Sequence, residues 1–102
     1  MAHYQRAIAV RDDYAPVHSN LGTALRAKGR LDEAVAAYER ALALQPDFPD
    51  AHYNLANALL ARGRAGQAIE HFQIALRSIP GSVETHTNLA GALADSQKPD
   101  EA

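Results

Sequence analysis

The sequence predicts an all-α array of paired helices, and three observations carry that prediction. The chain has 102 residues, three times 34, a length that calls for a test of internal repetition. Residues 15–48 laid over 49–82 without gaps agree at twelve of 34 positions, so the period is internal to the chain. Within each period the apolar residues recur at i, i+3, i+4 and i+7, as in Val17, Leu21, Ala24 and Leu25, then in Ala34, Val35, Tyr38, Ala41 and Leu42. Alanine and leucine dominate and aromatic residues are 6%, a balance that favours short helices over strands.

The elements follow in order. The matched positions include His18/His52, Asn20/Asn54, Leu21/Leu55, Leu25/Leu59, Gly29/Gly63, Ala34/Ala68, Ala41/Ala75 and Pro46/Pro80. The pattern continues through His86, Asn88, Leu89, Ala92 and Leu93, and runs back through Tyr4, Arg6, Ala7 and Asp13. Gly29 and Gly63 fall just past a first helix, where a left-handed residue ends it at little cost. Asp32 and Glu33 open a second helix beside its positive dipole end. Pro46 and Pro80 end that helix, since proline lacks the donor a helix interior needs and disfavours α conformation in its predecessor. The expected helices span 1–11, 15–28, 31–44, 49–62, 65–78 and 83–96, with another starting at Pro99. The whole chain is one array without a linker. Residues 1–14 are the second helix of a partial repeat, 15–48 and 49–82 are full repeats, and 83–102 hold a first helix and the start of the next.

These residues resemble the tetratricopeptide-repeat (TPR) family. Its pattern of a large residue, Leu-Gly, a large residue, Ala, an aromatic, Ala and Pro is matched by His18, Leu21-Gly22, Leu25, Ala34, Tyr38, Ala41 and Pro46. The second repeat supplies His52, Leu55-Ala56, Leu59, Ala68, Phe72, Ala75 and Pro80. Two departures stand out: His replaces the usual Trp, and Gln97 stands where a turn glycine is expected. The resemblance implies a helix-turn-helix solenoid wound into a right-handed superhelix, with about three repeats that begin and end mid-repeat. The segment Pro46 to Ala56 is similar to those of O-GlcNAc-transferase-like TPR superhelices.

Several function classes are excluded or disfavoured. Ten Lys and Arg against twelve Asp and Glu give a net charge of −2 with mixed signs, without the basic stripe that a phosphate backbone requires. Nucleic acid is therefore not an expected partner. Zero cysteines remove disulfides, zinc-thiolate sites and thiol nucleophiles, and fit a reducing compartment, with cytoplasm as the expectation. No apolar run approaches the roughly 20 residues that cross a bilayer. Neither a phosphate loop, nor a Gly-x-Ser-x-Gly elbow, nor a His-Glu-x-x-His helix is present. The chain reads as a non-enzyme without cofactor. His18, His52 and His86 form a ladder spaced by one repeat, but contacting helices lie about 8–10 Å apart, so such a ladder does not converge on one ion. Helix-pair packing or a buried hydrogen bond is the better reading, and no metal site is expected.

Asn20, Asn54 and Asn88 form a second ladder. Each precedes the leucine that enters the helix pair, which places it at the edge of the first helix that turns toward the concave face. Asparagine offers an acceptor and two donor hydrogens, so a row at repeat spacing suits the backbone of an extended peptide. The alternative is helix capping or a solvent-facing polar residue, although mid-helix asparagine is a poor helix former. The same face carries Pro16, Ser19, Thr23, Arg26, Asp50, Tyr53, Asn57, Glu84, Thr87 and Asp95. TPR modules that grip C-terminal carboxylates carry Lys and Arg on this face, whereas Ser19, Thr23, Glu84 and Asn88 stand here.

The expected function is a non-catalytic interaction scaffold whose groove takes an extended peptide or helix of another protein. One alternative is a self-assembly unit stacking head to tail. Tyr4, Ala7 and Ile8 lack a covering first helix, while Leu89, Ala92 and Leu93 lack a second, and neither end is a convincing polar cap even with Asp95, Ser96 and Gln97. Another alternative is a substrate-recognition slice of a glycosyltransferase, which the superhelix resemblance implies.

Overall fold

Among the described residues, five helices run between the breaks that proline and glycine impose. The computed structural model describes residues 14–97, with α1 at Ala15–Ala27, α2 at Leu31–Leu44, α3 at Pro49–Ala61, α4 at Ala65–Ser78 and α5 at Val83–Gln97. The expected helix over 1–11 and the start at Pro99 lie outside the described residues. Predicted ends at 28 and 62 fall one residue late. Both α1 and α3 close in the same way: the Gly29 amide donates to the Arg26 carbonyl and the Arg30 amide to that of Leu25, each at 2.9 Å. Gly63 and Arg64 repeat this on Leu60 and Leu59 at 3.0 and 2.8 Å. Such a closure needs a left-handed residue, and Gly29 and Gly63 supply φ of 82° and 83°. Position 97 holds glutamine instead, and α5 stays helical through it.

Each helix packs on its sequence neighbours, and α1 also touches α3 as α3 touches α5, whereas α2 and α4 do not meet. First helices of successive repeats are therefore closer than second helices. That spacing makes the row α1, α3, α5 the inner, concave side of the array.

The core is built from alanines and two rings. Tyr38, Phe72 and Leu55 are its largest fully buried side chains, joined by Ala34, Ala56, Ala58, Leu59, Ala68 and Ala92. Small residues let helix backbones approach closely enough for one ring per repeat to fill the remaining space. Gly22 shows how closely: a Cβ built there would lie 2.7 Å from Tyr38 Cε1. The second repeat has Ala56 at that position and Phe72 in place of the tyrosine. The two repeats also differ in how the ring is finished. Tyr38 OH shares a 2.9 Å hydrogen bond with Thr23 Oγ1. Phe72 needs no such partner, and Asn57 occupies the place of Thr23.

The apolar stripe expected on α1 is not buried along its length. Leu21 is 48% exposed, whereas its counterpart Leu55 is 1% exposed, because Leu55 lies between α2 and α4 and Leu21 has no preceding helix among the described residues. Between repeats, Arg62 Nη1 donates to Asp32 Oδ1 at 2.9 Å. Asp32 is exposed and Arg62 is partly covered, so the pair adds about 0–1 kcal/mol.

Candidate functional site

The concave row carries two adjoining recesses. The larger, about 550 Å³, is lined by Pro16, Ser19, Asn20, Thr23, Phe48, Asp50, Tyr53, Asn54 and Glu84. The smaller, about 200 Å³, is lined by Pro49, Asp50, Tyr53, Ala75, Ile79, Ser82, Glu84 and Thr85. Asp50, Tyr53 and Glu84 belong to both. Pro16 at the second position of α1 and Pro49 at the first of α3 suit a helix start, where the first N–H groups have no intrahelical partner to lose. α5 starts on Ser82 instead, whose hydroxyl accepts from the Thr85 amide at 3.2 Å.

Of the thirteen residues that sequence places on the groove face, the larger recess gathers Pro16, Ser19, Asn20, Thr23, Asp50, Tyr53, Asn54 and Glu84. The other five stand apart from it. Arg26, Thr87 and Asp95 are exposed and line neither recess. Asn57 and Asn88 are taken up by each other: Asn88 Nδ2 donates to Asn57 Oδ1 at 3.0 Å and to Tyr53 OH at 2.9 Å. The three asparagines are thus not equivalent. Asn20 and Asn54 make no side-chain hydrogen bond among the described residues, while Asn88 holds Tyr53 in place. Phe72 meets the Tyr53 ring edge-on, with centroids 6.0 Å apart.

Sequence reasoning missed Phe48, Pro49, Ala75, Ile79, Ser82 and Thr85 as lining residues. Phe48 and Ile79 sit in or beside inter-repeat breaks without matched counterparts, so periodicity gave no signal for them. On the surface assigned to self-association, Ala92 is buried, Leu89 is half-buried and Leu93 is 41% exposed. Tyr4, Ala7 and Ile8 lie outside the described residues.

Comparison with known proteins agrees with this architecture. A TPR repeat model matches residues 22–63 and a tetratricopeptide repeat model matches residues 49–82. The chain belongs to the tetratricopeptide-repeat family. The crystal structure of MamA protein is similar to it, with a TM-score of 0.78 and 25% identity over 81% of this chain. The match spans 45% of the MamA chain, so the present sequence covers about half of that length. No curated protein matches this chain. TPR domains mediate protein–protein interactions, and at that level the chain is an interaction module. No described helix is long and apolar enough to cross a membrane.

The histidine ladder of this TPR array has a structural use. His52 Nε2 lies 2.8 Å from the Pro46 carbonyl, and His86 Nε2 lies 2.8 Å from that of Pro80. A carbonyl only accepts, so Nε2 donates in both, and each imidazole ties a first helix to the break before it. For His52, which is buried, this is the buried hydrogen bond expected from sequence, whereas the His86 bond is exposed. His52 has a second partner that sequence did not reveal: His71 of α4, with Nδ1 to Nδ1 at 3.0 Å and rings stacked at 5.2 Å. When each ring holds one proton, His71 Nδ1 donates to His52 Nδ1.

Burial, and then the adjacent His52, hold His71 below the usual histidine range, with Glu70 opposing both. The folded ring therefore binds its proton less readily than the unfolded ring. Stability from the pair is fully present above the ordinary value of 6.5 and is lost as pH falls below it through the lower folded value. Thermal melts at pH 7.5 and 5 are expected to show a lower midpoint in acid, with a smaller drop in His71→Leu. An identical acid response in the variant would show that the pair does not carry the effect.

Proposed function

We propose that the concave face takes an extended peptide segment of another protein, and that the module acts by binding alone. The observation that carries this reading is the larger recess, where polar groups from α1 and α3 converge. Asn20 and Asn54 supply amide donors and acceptors suited to main-chain recognition, since a peptide backbone presents one donor and one acceptor per residue. Asn88 has the supporting role of orienting Tyr53.

A peptide selected against the domain from a random library tests this. Asn20→Ala with Asn54→Ala is expected to weaken its binding about tenfold or more by calorimetry, given roughly 1–3 kcal/mol for buried partners left unpaired. Helicity and melting midpoint are expected to stay unchanged. Undiminished affinity in the double variant would sink the role given to these asparagines.

Head-to-tail stacking between copies is a second reading, favoured by Leu93, 41% exposed where its counterpart Leu59 is 3% exposed. Sedimentation across a wide concentration range is then expected to show association that Leu93→Glu abolishes, and a strictly monomeric wild type would refute it.

A further inference from the structure

Among the described residues, Asp50 and Glu84 are the only charged ones lining either recess. They come from α3 and α5, in successive repeats, and occupy the same position in the period, held by Pro16 in the first repeat. Neither carboxylate has an ion-pair partner among the described residues, whose salt bridges are Arg30 with Glu33 and Asp32 with Arg62. Each lies in the first turn of its helix, where the dipole favours an acid. That placement explains an acid at a helix start, but not why two acids from different repeats face one recess with no cation among its described lining residues.

The rest of the lining is Pro49, Ala75 and Ile79, the Tyr53 ring as a wall that Asn88 and Phe72 hold in place, and the Ser82 and Thr85 hydroxyls, which bond each other at 2.8 Å. A volume of about 200 Å³ is below the roughly 300–1,000 Å³ of small-molecule sites, so it suits a single side chain. Apolar walls under an anionic rim match a long aliphatic stem that ends in a cation. An aromatic wall adds to the attraction for that cation.

We propose that this recess receives a lysine or arginine side chain of the peptide bound in the groove. The proposal rests on the groove reading and adds charge selection to it: the asparagines hold main chain, and the two carboxylates choose a basic residue at one position. Acidic and C-terminal carboxylate ligands are disfavoured at that position.

Selection from a random dodecapeptide library against the full chain, repeated with the Asp50→Asn/Glu84→Gln variant, tests this. Circular dichroism confirms that the variant remains helical. Wild type is expected to enrich peptides with Lys or Arg at one fixed position. Replacing that residue by glutamine in a selected peptide should lower affinity at least tenfold for wild type and less than threefold for the variant. Enrichment of neutral or acidic residues, or a basic preference equal in both proteins, would overturn the proposal while leaving the groove intact. Failure to enrich any peptide would overturn the groove reading and this proposal together.

Discussion

Phe72→Ala is expected to lower unfolding stability by about 3–5 kcal/mol, the usual range for removing a buried aromatic ring. Phe72 is fully buried in the central cluster with Leu55, Leu59 and Ala68, and its ring meets Tyr53 edge-on. Those neighbours come from α3 and α4, so the resulting cavity would loosen the middle repeat. A domain with roughly 5–15 kcal/mol of total stability would lose a large share of it. Urea denaturation followed by far-UV circular dichroism measures the change. A loss below about 1 kcal/mol would be incompatible with a packed ring at this position.

The second large effect compares two leucines at the same place in the repeat. Leu55→Ala is expected to cost about 2–5 kcal/mol, because its side chain is enclosed by α2, α3 and α4. Leu21→Ala is expected to cost under about 1 kcal/mol, since Leu21 already contacts solvent. Asn57→Ala, which removes one acceptor of Asn88, falls near the lower figure. Equal midpoints for the two leucine variants would mean that their exposures do not differ as described. A sequence-only ranking would score them alike, since they are matched positions.

That comparison marks how far sequence reading reaches. Within residues 14–97, helix bounds were legible to within a residue because Gly29, Gly63, Pro46 and Pro80 act locally, through φ and the missing proline donor. Tyr38 and Phe72 were legible as core because their positions follow the helical period. The Asn88 bonds to Tyr53 and Asn57 were not, since they join side chains 35 and 31 residues apart and depend on how two helices meet. His71 was missed for another reason: position 37 in the first repeat is alanine, so no ladder drew attention to it. Of the groove residues, Asp50 and Glu84 were recognisable by register alone, but their meeting at one recess required the packed repeats.

The bonds from Asn88 also bear on the mechanics of the array. Between α3 and α5 they form a strut across the inner face, so that joint resists opening. Between α1 and α3 the matching residues are Asn54, Ser19 and Thr23, and the Thr23 hydroxyl is already committed to Tyr38 and to the Ser19 carbonyl, at 2.9 and 3.2 Å. No strut forms there. Bonding across the inner face is therefore uneven: among the described residues the α3–α5 joint carries two side-chain hydrogen bonds where the α1–α3 joint carries none, and the larger recess lies over the latter.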